Sequence, residues 1–329
     1  MSTSDRDMKT TRLGKEPVDA NGHHIIFDKF ERTAPRSDER FDINFMGASI
    51  AHEFERNLIE ANPNFDQDTA KGLKASGRST LTDTDPTYPY RDSEDYFEWI
   101  DLLTAIDRAD TQFTMIEIGA GYGRWIANAA AAIKRHKTKR LRQKLIALES
   151  DKTRFAMMTR NCKNNDIAEG DRQLIRAACT PDGNALFMHV NDSYGNNVWQ
   201  DPKFAVYFEG KQTDTMDFTD GLGRKFTVQK VPAVQLNSLL TENIDFIDMD
   251  IQGAELDVIY SSIDAMGKFV KLIHVGCHSL PIDSRLAHIF HLHGWRPRRI
   301  FSSGAVNETP YGKFQFIDGI QSWENPNFD

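Results

Sequence analysis

Cysteine is scarce: Cys162, Cys179 and Cys277 are the only three in 329 residues, and no C-x-x-C spacing occurs. Neither a zinc knuckle nor a disulfide framework follows from that set, so reduced, mostly buried thiols are expected. Long apolar runs are missing, so nothing reads as a membrane span, and the polar stretch Met1 to Lys15 has no apolar signal core. The expectation is a cytoplasmic protein with no membrane partner. Basic excess is absent too: 40 Lys and Arg stand against 48 Asp and Glu, a formal charge of −8. The most basic segment, Lys134–Lys144, reads as a solvated helix end and loop, so no nucleic-acid partner is expected. Apolar residues are plentiful, at 40% with 21 Phe, which excludes a wholly disordered chain.

Residues 1 to about 40 are charged and turn-rich, with one strand candidate at Ile25-Ile26-Phe27; a loosely attached arm is expected. Phe45, Ile50, Phe54, Leu58 and Ile59 fall near one face if Phe41 to Asn62 is a helix. The polar stretch Asp66 to Asp92, with its Ser-Gly, Asp-Pro and Tyr-Pro pairs, reads as a linker or lid, which puts an N-terminal extension at 1–92.

From residue 93 the pattern becomes regular. Ser93 can cap a helix carrying Tyr96, Phe97, Ile100, Leu103 and Ile106. Strand Phe113–Ile118, a glycine turn, helix Trp125–Arg135, strand Lys144–Leu148, helix Asp151–Asn164 and strand Gln173–Ala178 follow. That grammar predicts a doubly wound α/β domain with a mostly parallel sheet over 93–329. Alternating segments at Ala185–Val190, Phe204–Glu209 and Phe226–Val234 predict an inserted β-hairpin or small antiparallel patch within 180–241. Helix Gln235–Leu240, strand Ile244–Asp250, strand Val270–Gly276, helix Ile282–Leu292 and strands near Arg296–Phe301 and Phe314–Ile317 complete it. The ending, with Ile317, Ile320 and Trp323, docks either on its own chain or on another subunit.

The most informative segment is Glu117-Ile-Gly119-Ala120-Gly121-Tyr122-Gly123. Glycines there permit a sharp strand-to-helix turn and let backbone N–H groups approach a ligand. A dinucleotide fingerprint requires G-x-G-x-x-G; here the third glycine comes one residue early and Arg124 follows it, which disfavours a nicotinamide oxidoreductase. The pattern is similar to motif I, E-x-G-x-G-x-G, of the S-adenosylmethionine-dependent methyltransferases. Glu149 ends the next strand, where such folds place a ribose-binding carboxylate.

A second constellation narrows the resemblance. Asp250-Ile-Gln252-Gly-Ala-Glu255 resembles the D-x-E-G-x-E segment of the FkbM-family methyltransferases. Asn161 and Asn165 after Glu149, the Val234–Leu239 segment, and His278 at the end of the fifth strand agree with it, over about 110–300. The chain departs from the family at Gln252, where Glu is usual, and at Gly276-Cys277-His278, where Glu-x-His is common. The resemblance implies S-adenosylmethionine as cofactor, held by Glu117, Gly119, Ala120, Gly121, Tyr122, Gly123, Glu149, Ser150, Ala178 and Asp250. It implies O-methylation of a sugar, polyketide or other small-molecule hydroxyl. The two departures motivate the alternative, a non-catalytic cofactor-binding or assembly protein.

Methyl transfer requires alignment and removal of one proton. Asp250 and His278, at the carboxyl ends of their strands, are the catalytic candidates: Asp250 orients the cofactor, accepts a proton or caps the next helix, and His278 is either a base or a satisfied loop histidine. Asp248 faces the same side as Asp250 and is expected to bond backbone or a basic group. With Asp248, they form too thin a carboxylate set to favour a divalent metal. Tyr96, Trp99, Tyr122 and Trp125 are candidates for stacking on the ligand or for the core. Tyr88, Tyr90, Trp199 and Tyr207 are candidates for the acceptor pocket.

Overall fold

The computed structural model describes residues 16–54, 86–190, 205–219, 221, 223 and 225–328. Trp199 and most of the expected linker at 66–92 lie outside that set. The helix α1 (Glu94–Arg108) precedes strand β1 (Gln112–Ile118), α2 (Arg124–Arg135), β2 (Arg142–Leu148), α3 (Lys152–Asn164) and β3 (Arg172–Ile175). Beyond the insertion come β4 (Ile244–Met249), α4 (Glu255–Phe269), β5 (Val270–Cys277), α5 (Leu280–Leu292), β6 (Arg296–Phe301) and β7 (Gly319–Glu324). These seven strands form one sheet in the order β6-β7-β5-β4-β1-β2-β3. Strands β1 to β5 pair in parallel, and β7 runs antiparallel between β5 and β6. This is the Rossmann-like, doubly wound sheet expected, and the chain order reverses between β1 and β4, where such a sheet opens its crevice.

Both faces are covered because each central strand is apolar on both sides. Met115, Phe246 and Leu272 pack with α1 and α2, whereas Ile116, Ile247 and Ile273 pack with α4 and α5. Among the described residues no helix is long and apolar enough to cross a membrane.

Several expectations are corrected. From residue 16 onward the N-terminal segment is no loose arm: Ile26, Phe27, Phe30, Phe45 and Met46 are buried in the core over α1 and α2. Ile25–Lys29 is a 3-10 turn instead of a strand, capped by His24 Nδ1 accepting from Ile26 N. Residues 41–51 are two strands, Phe41–Ile43 and Ser49–Ala51, and not the start of a helix. The turn between them explains why: Asn44 Oδ1 accepts from both Met46 N and Ala48 N, and Gly47 takes φ +86°. Leu58 and Ile59 fall outside the described residues.

The insertion is a three-stranded antiparallel sheet, with Lys225–Val231 between Leu186–Val190 and Thr215–Thr219. Where a strand was expected at 204–209 there is one helical turn, Ala205–Phe208, which suffices to bury Phe208 against Phe187. Gln235–Leu240 shrinks to a 3-10 turn over Leu236–Ser238. Phe314 belongs to a hairpin of Val306–Thr309 and Gly312–Gln315, outside the main sheet. The chain's ending docks intramolecularly, as β7.

Candidate functional site

The glycine turn is built by two different constraints. A Cβ on Gly119 (φ +84°) would lie 1.8 Å from the carbonyl oxygen of Asp250, so β1 and β4 could not stay paired as they leave the sheet. Gly119→Ala is accordingly expected to destabilise the protein by about 3 kcal/mol or more, read as the loss in urea-unfolding free energy. Gly121 (φ +56°) differs: a Cβ there meets nothing within 4 Å. Gly123 (φ +74°) sits at the start of α2, and its Cβ would strike Met158 Cγ at 2.8 Å; it is the one residue of the expected cofactor set that does not line the cavity, because it faces α3.

Two carboxylates fix the turn. Glu117 Oε1 and Oε2 accept from Trp125 N (3.2 Å) and Ile126 N (2.9 Å), satisfying free donors at the start of α2. Glu149 Oε2 accepts from Gly121 N at 2.7 Å and Oε1 from Asp151 N at 2.6 Å. Burial raises the pKa of both, against the lowering effect of these backbone bonds.

A cavity of about 410 Å³ opens above the turn. Glu117, Gly119, Ala120, Gly121, Tyr122, Glu149, Ser150, Ala178, Asp250 and His278 all line it. Of the aromatic candidates, Tyr122 and Trp125 reach it, whereas Tyr96 and Trp99 are core residues, Tyr96 accepting at its hydroxyl from His24 N. Tyr88 is buried against His23, and Tyr90 and Tyr207 are exposed.

At the outer end, His278 is gripped on both ring nitrogens, Nε2 at 3.2 Å from Asp250 Oδ1 and Nδ1 at 2.9 Å from Glu255 Oε1. Burial would lower its pKa, yet the bonds to Asp250 and Glu255 prevail and push it up to about 10. An imidazole raised this far keeps its proton at neutral pH, which weighs toward the satisfied histidine and against the base. Asp250, more than half exposed, also accepts from Gln252 Nε2 at 2.9 Å. Gln252 holds φ +57°, rare for a residue with a side chain. Glu255 Oε1 further accepts from Ile251 N and Gly253 N, capping α4. One atom each of Asp250, Glu255 and His278 lies within 4.8 Å of the others. As placed, the trio forms one hydrogen-bonded unit, with both imidazole nitrogens engaged by carboxylates.

Deeper in, a polar row crosses the sheet. In the strand register Glu117 stands beside Asp248 and Asp248 beside His274. Helix α1 lies over the row with Glu94, Asp95 and Glu98 at the cavity wall. Backbone or a basic group was expected to bond Asp248; its carboxyl meets that of Glu98 instead, with the basic His274 close by. Burial first, then the adjoining Asp248, raise Glu98 well above the usual range; burial raises Asp248 to about 6, against the lowering effect of His274 and of the bond to Glu98. His274 Nδ1 bonds Asp101 Oδ2 at 2.9 Å, and Arg124 is ion-paired with Asp95. Glu98, Asp101, Arg124 and His274 were not singled out from the sequence. The available signal was a polar residue interrupting an apolar stripe, at Asp101 on α1 and at His274 in β5.

The chain matches the methyltransferase FkbM domain family over residues 117–290. A protein of Jannaschia sp. (strain CCS1), provisionally named a methyltransferase, is 24% identical over 233 residues, 70% of this chain and 79% of its own. Among solved structures, the methyltransferase FkbM of Methylobacillus flagellatus KT aligns at 12% identity and TM-score 0.37, over 64% of this chain and 43% of its own. This chain thus spans under half the length of that protein. An rRNA methylase from Streptococcus thermophilus aligns at 9% identity and TM-score 0.37, over 70% of this chain and 95% of its own. Likeness at that level says nothing about the acceptor, and the acidic charge balance read above does not by itself exclude RNA.

Proposed function

The chain belongs to the FkbM family of S-adenosylmethionine-dependent methyltransferases, and from that premise we propose that it methylates a hydroxyl of a small molecule such as a sugar or polyketide, using the cavity above the glycine turn. The observation that carries the reading is Gly121: a backbone N–H tied to Glu149, with open space where a side chain would be, forms a cradle for a nucleoside. The bound cofactor supplies a methyl group already activated on a sulfonium.

The protein's residues supply placement. Glu149 Oε2 takes one backbone N–H and keeps a second lone pair for a ribose hydroxyl, while Oε1 accepts from Asp151 N and, at 3.4 Å, from the Ser150 hydroxyl. Cofactor over β2 and β1 leaves the outer rim of the cavity, just past the carboxyl ends of β4 and β5, for the acceptor, which is where Asp250 and His278 stand. Asp250 is the group that receives the acceptor's hydroxyl hydrogen. The charged His278 and the Gln252 amide hold its carboxylate in place. Asp318, at the same rim, adds a second acceptor of hydrogen bonds. Leu186 and Met188 of the insertion line the cavity, and that segment is the part of the chain that sets acceptor choice.

Calorimetry tests this. S-adenosylhomocysteine is expected to bind with one site per chain, and a reduced nicotinamide dinucleotide is not. Saturable binding of the dinucleotide, or none of the homocysteine derivative, would remove the basis of the proposal. Turnover with small hydroxylated acceptors, set beside an RNA panel, then decides the acceptor class.

A further inference from the structure

We propose that the deep end of the cavity, between α1 and β4, holds the amino-acid end of the cofactor, its α-ammonium on the paired carboxyls of Glu98 and Asp248 and its carboxylate toward Arg124 and the free Nε2 of His274. This rests on the methyltransferase reading above and extends it to residues outside the glycine turn.

Position is the first argument. Glu149 marks the nucleoside end over β2, and β4 lies two strands away across β1, roughly 10 Å at the usual strand spacing. A ligand with its ribose on Glu149 therefore reaches β4 with its far end. Glu98 and Asp248 line the same continuous cavity there.

Charge is the second. Two carboxyls in contact cannot both ionise in a buried site, so the pair shares a proton. Burial raises both, and the neighbouring Asp248 raises Glu98 further. An ammonium brings the same charge as that proton and donates up to three hydrogen bonds. It can replace the proton, leaving both carboxylates ionised and the net charge unchanged. The titratable groups that share the cavity wall with the pair include Glu94 and Asp95 on α1, Glu117 on β1, Tyr122 in the turn, Arg124 on α2, Asp250 just past β4 and His274 on β5.

An independent feature points to a ligand in the same space. His274 is only 4% exposed and lines the cavity, and among the described residues no hydrogen bond engages its Nε2. Asp101, with Ser322, holds Nδ1 and so orients the ring. An imidazole fixed in this way at the cavity wall, with no hydrogen bond at Nε2 among the described residues, suits a ligand carboxylate, which Arg124 would also approach.

The experiment compares S-adenosylhomocysteine with 5′-methylthioadenosine, the same nucleoside without the amino acid, by titration calorimetry on wild type, Glu98→Gln and Asp248→Asn. Each substitution is expected to weaken the amino-acid ligand at least ~10-fold, in line with a charge-assisted hydrogen bond, and to leave 5′-methylthioadenosine within about twofold. The nucleoside arm also reports that each variant is folded. Unchanged binding of both ligands, or equal loss of both, overturns the assignment. If wild type binds neither ligand, the methyltransferase reading itself fails, which is a separate result.

Discussion

Gly121→Val is expected to reduce S-adenosylhomocysteine affinity by ~100-fold or more while the protein remains folded. A Cβ at this position meets no protein atom within 4 Å, so the fold has room for the side chain. The ligand does not: the isopropyl group would occupy the space beside the Gly121 N–H that Glu149 orients. Overpacking of this kind costs about 1–3 kcal/mol even where a core can relax, and displacement of a nucleoside from its cradle adds to that. The φ of +56° puts a β-branched residue in a left-handed conformation, which costs about 1–3 kcal/mol of stability. Titration calorimetry gives the affinity and a melting curve gives the stability. Wild-type affinity in the valine variant would mean that the ligand lies elsewhere. Gly119 is the contrast, since substitution there is expected to act on the fold first.

The second large effect is on stability. Asp101→Ala is expected to lower the unfolding free energy by about 3–5 kcal/mol, because it strips the partners from buried charges. Asp101 is fully buried and accepts from Arg299 Nη1 at 2.5 Å, Arg298 Nε at 3.3 Å, His274 Nδ1 and the Ser322 hydroxyl. Arg299, itself 2% exposed, also pairs with Glu16 at 2.6 Å, which ties the N-terminal segment into the network. Burial would raise the Asp101 pKa, but Arg299, then His274 and Arg298, hold it well below the usual range. A depressed carboxylate contributes fully above its unfolded pKa of about 3.9 and loses that contribution as pH falls below it. Wild type should therefore lose more stability than the variant between about pH 4 and pH 2. Urea unfolding at several pH values measures this, and a loss under ~1 kcal/mol at pH 7 would show the network to be energetically neutral.

The parts of the fold that were legible in the sequence are those where local and long-range demands agree. Strands β1, β2, β4 and β5 are apolar runs that stop at Gly119, Glu149, Asp250 and His278, because the crevice begins there. The strand β7 escaped notice because Gln321 and Ser322 look like surface residues. Both are fully buried, with Gln321 Nε2 donating to Asp283 O and the Ser322 hydroxyl donating to Asp101. Their partners are 38 and 221 positions away, beyond any local pattern. Over residues 41–51 the expected helix failed for the opposite reason: apolar spacing suggested a helical face, while Asn44 and Gly47 imposed a turn. At the site, the glycines and Glu149 were readable from spacing. The charge on His278 was not, since it depends on Glu255 coming from the next helix. The pairing of Glu98 with Asp248 depends likewise on α1 lying across β4.

The placement of β7 also bears on where the chain can be cut. It supplies the hydrogen bonds for one side of β5 and one side of β6 at once. A protein truncated before Gly319 would present two raw edges in mid-sheet, both lined by buried apolar residues such as Val275 and Ile273 on one side and Phe301 on the other. Open edges of that kind recruit strands from other molecules. Loss of this six-residue segment should therefore convert the protein to aggregate, although it carries no residue of the glycine turn.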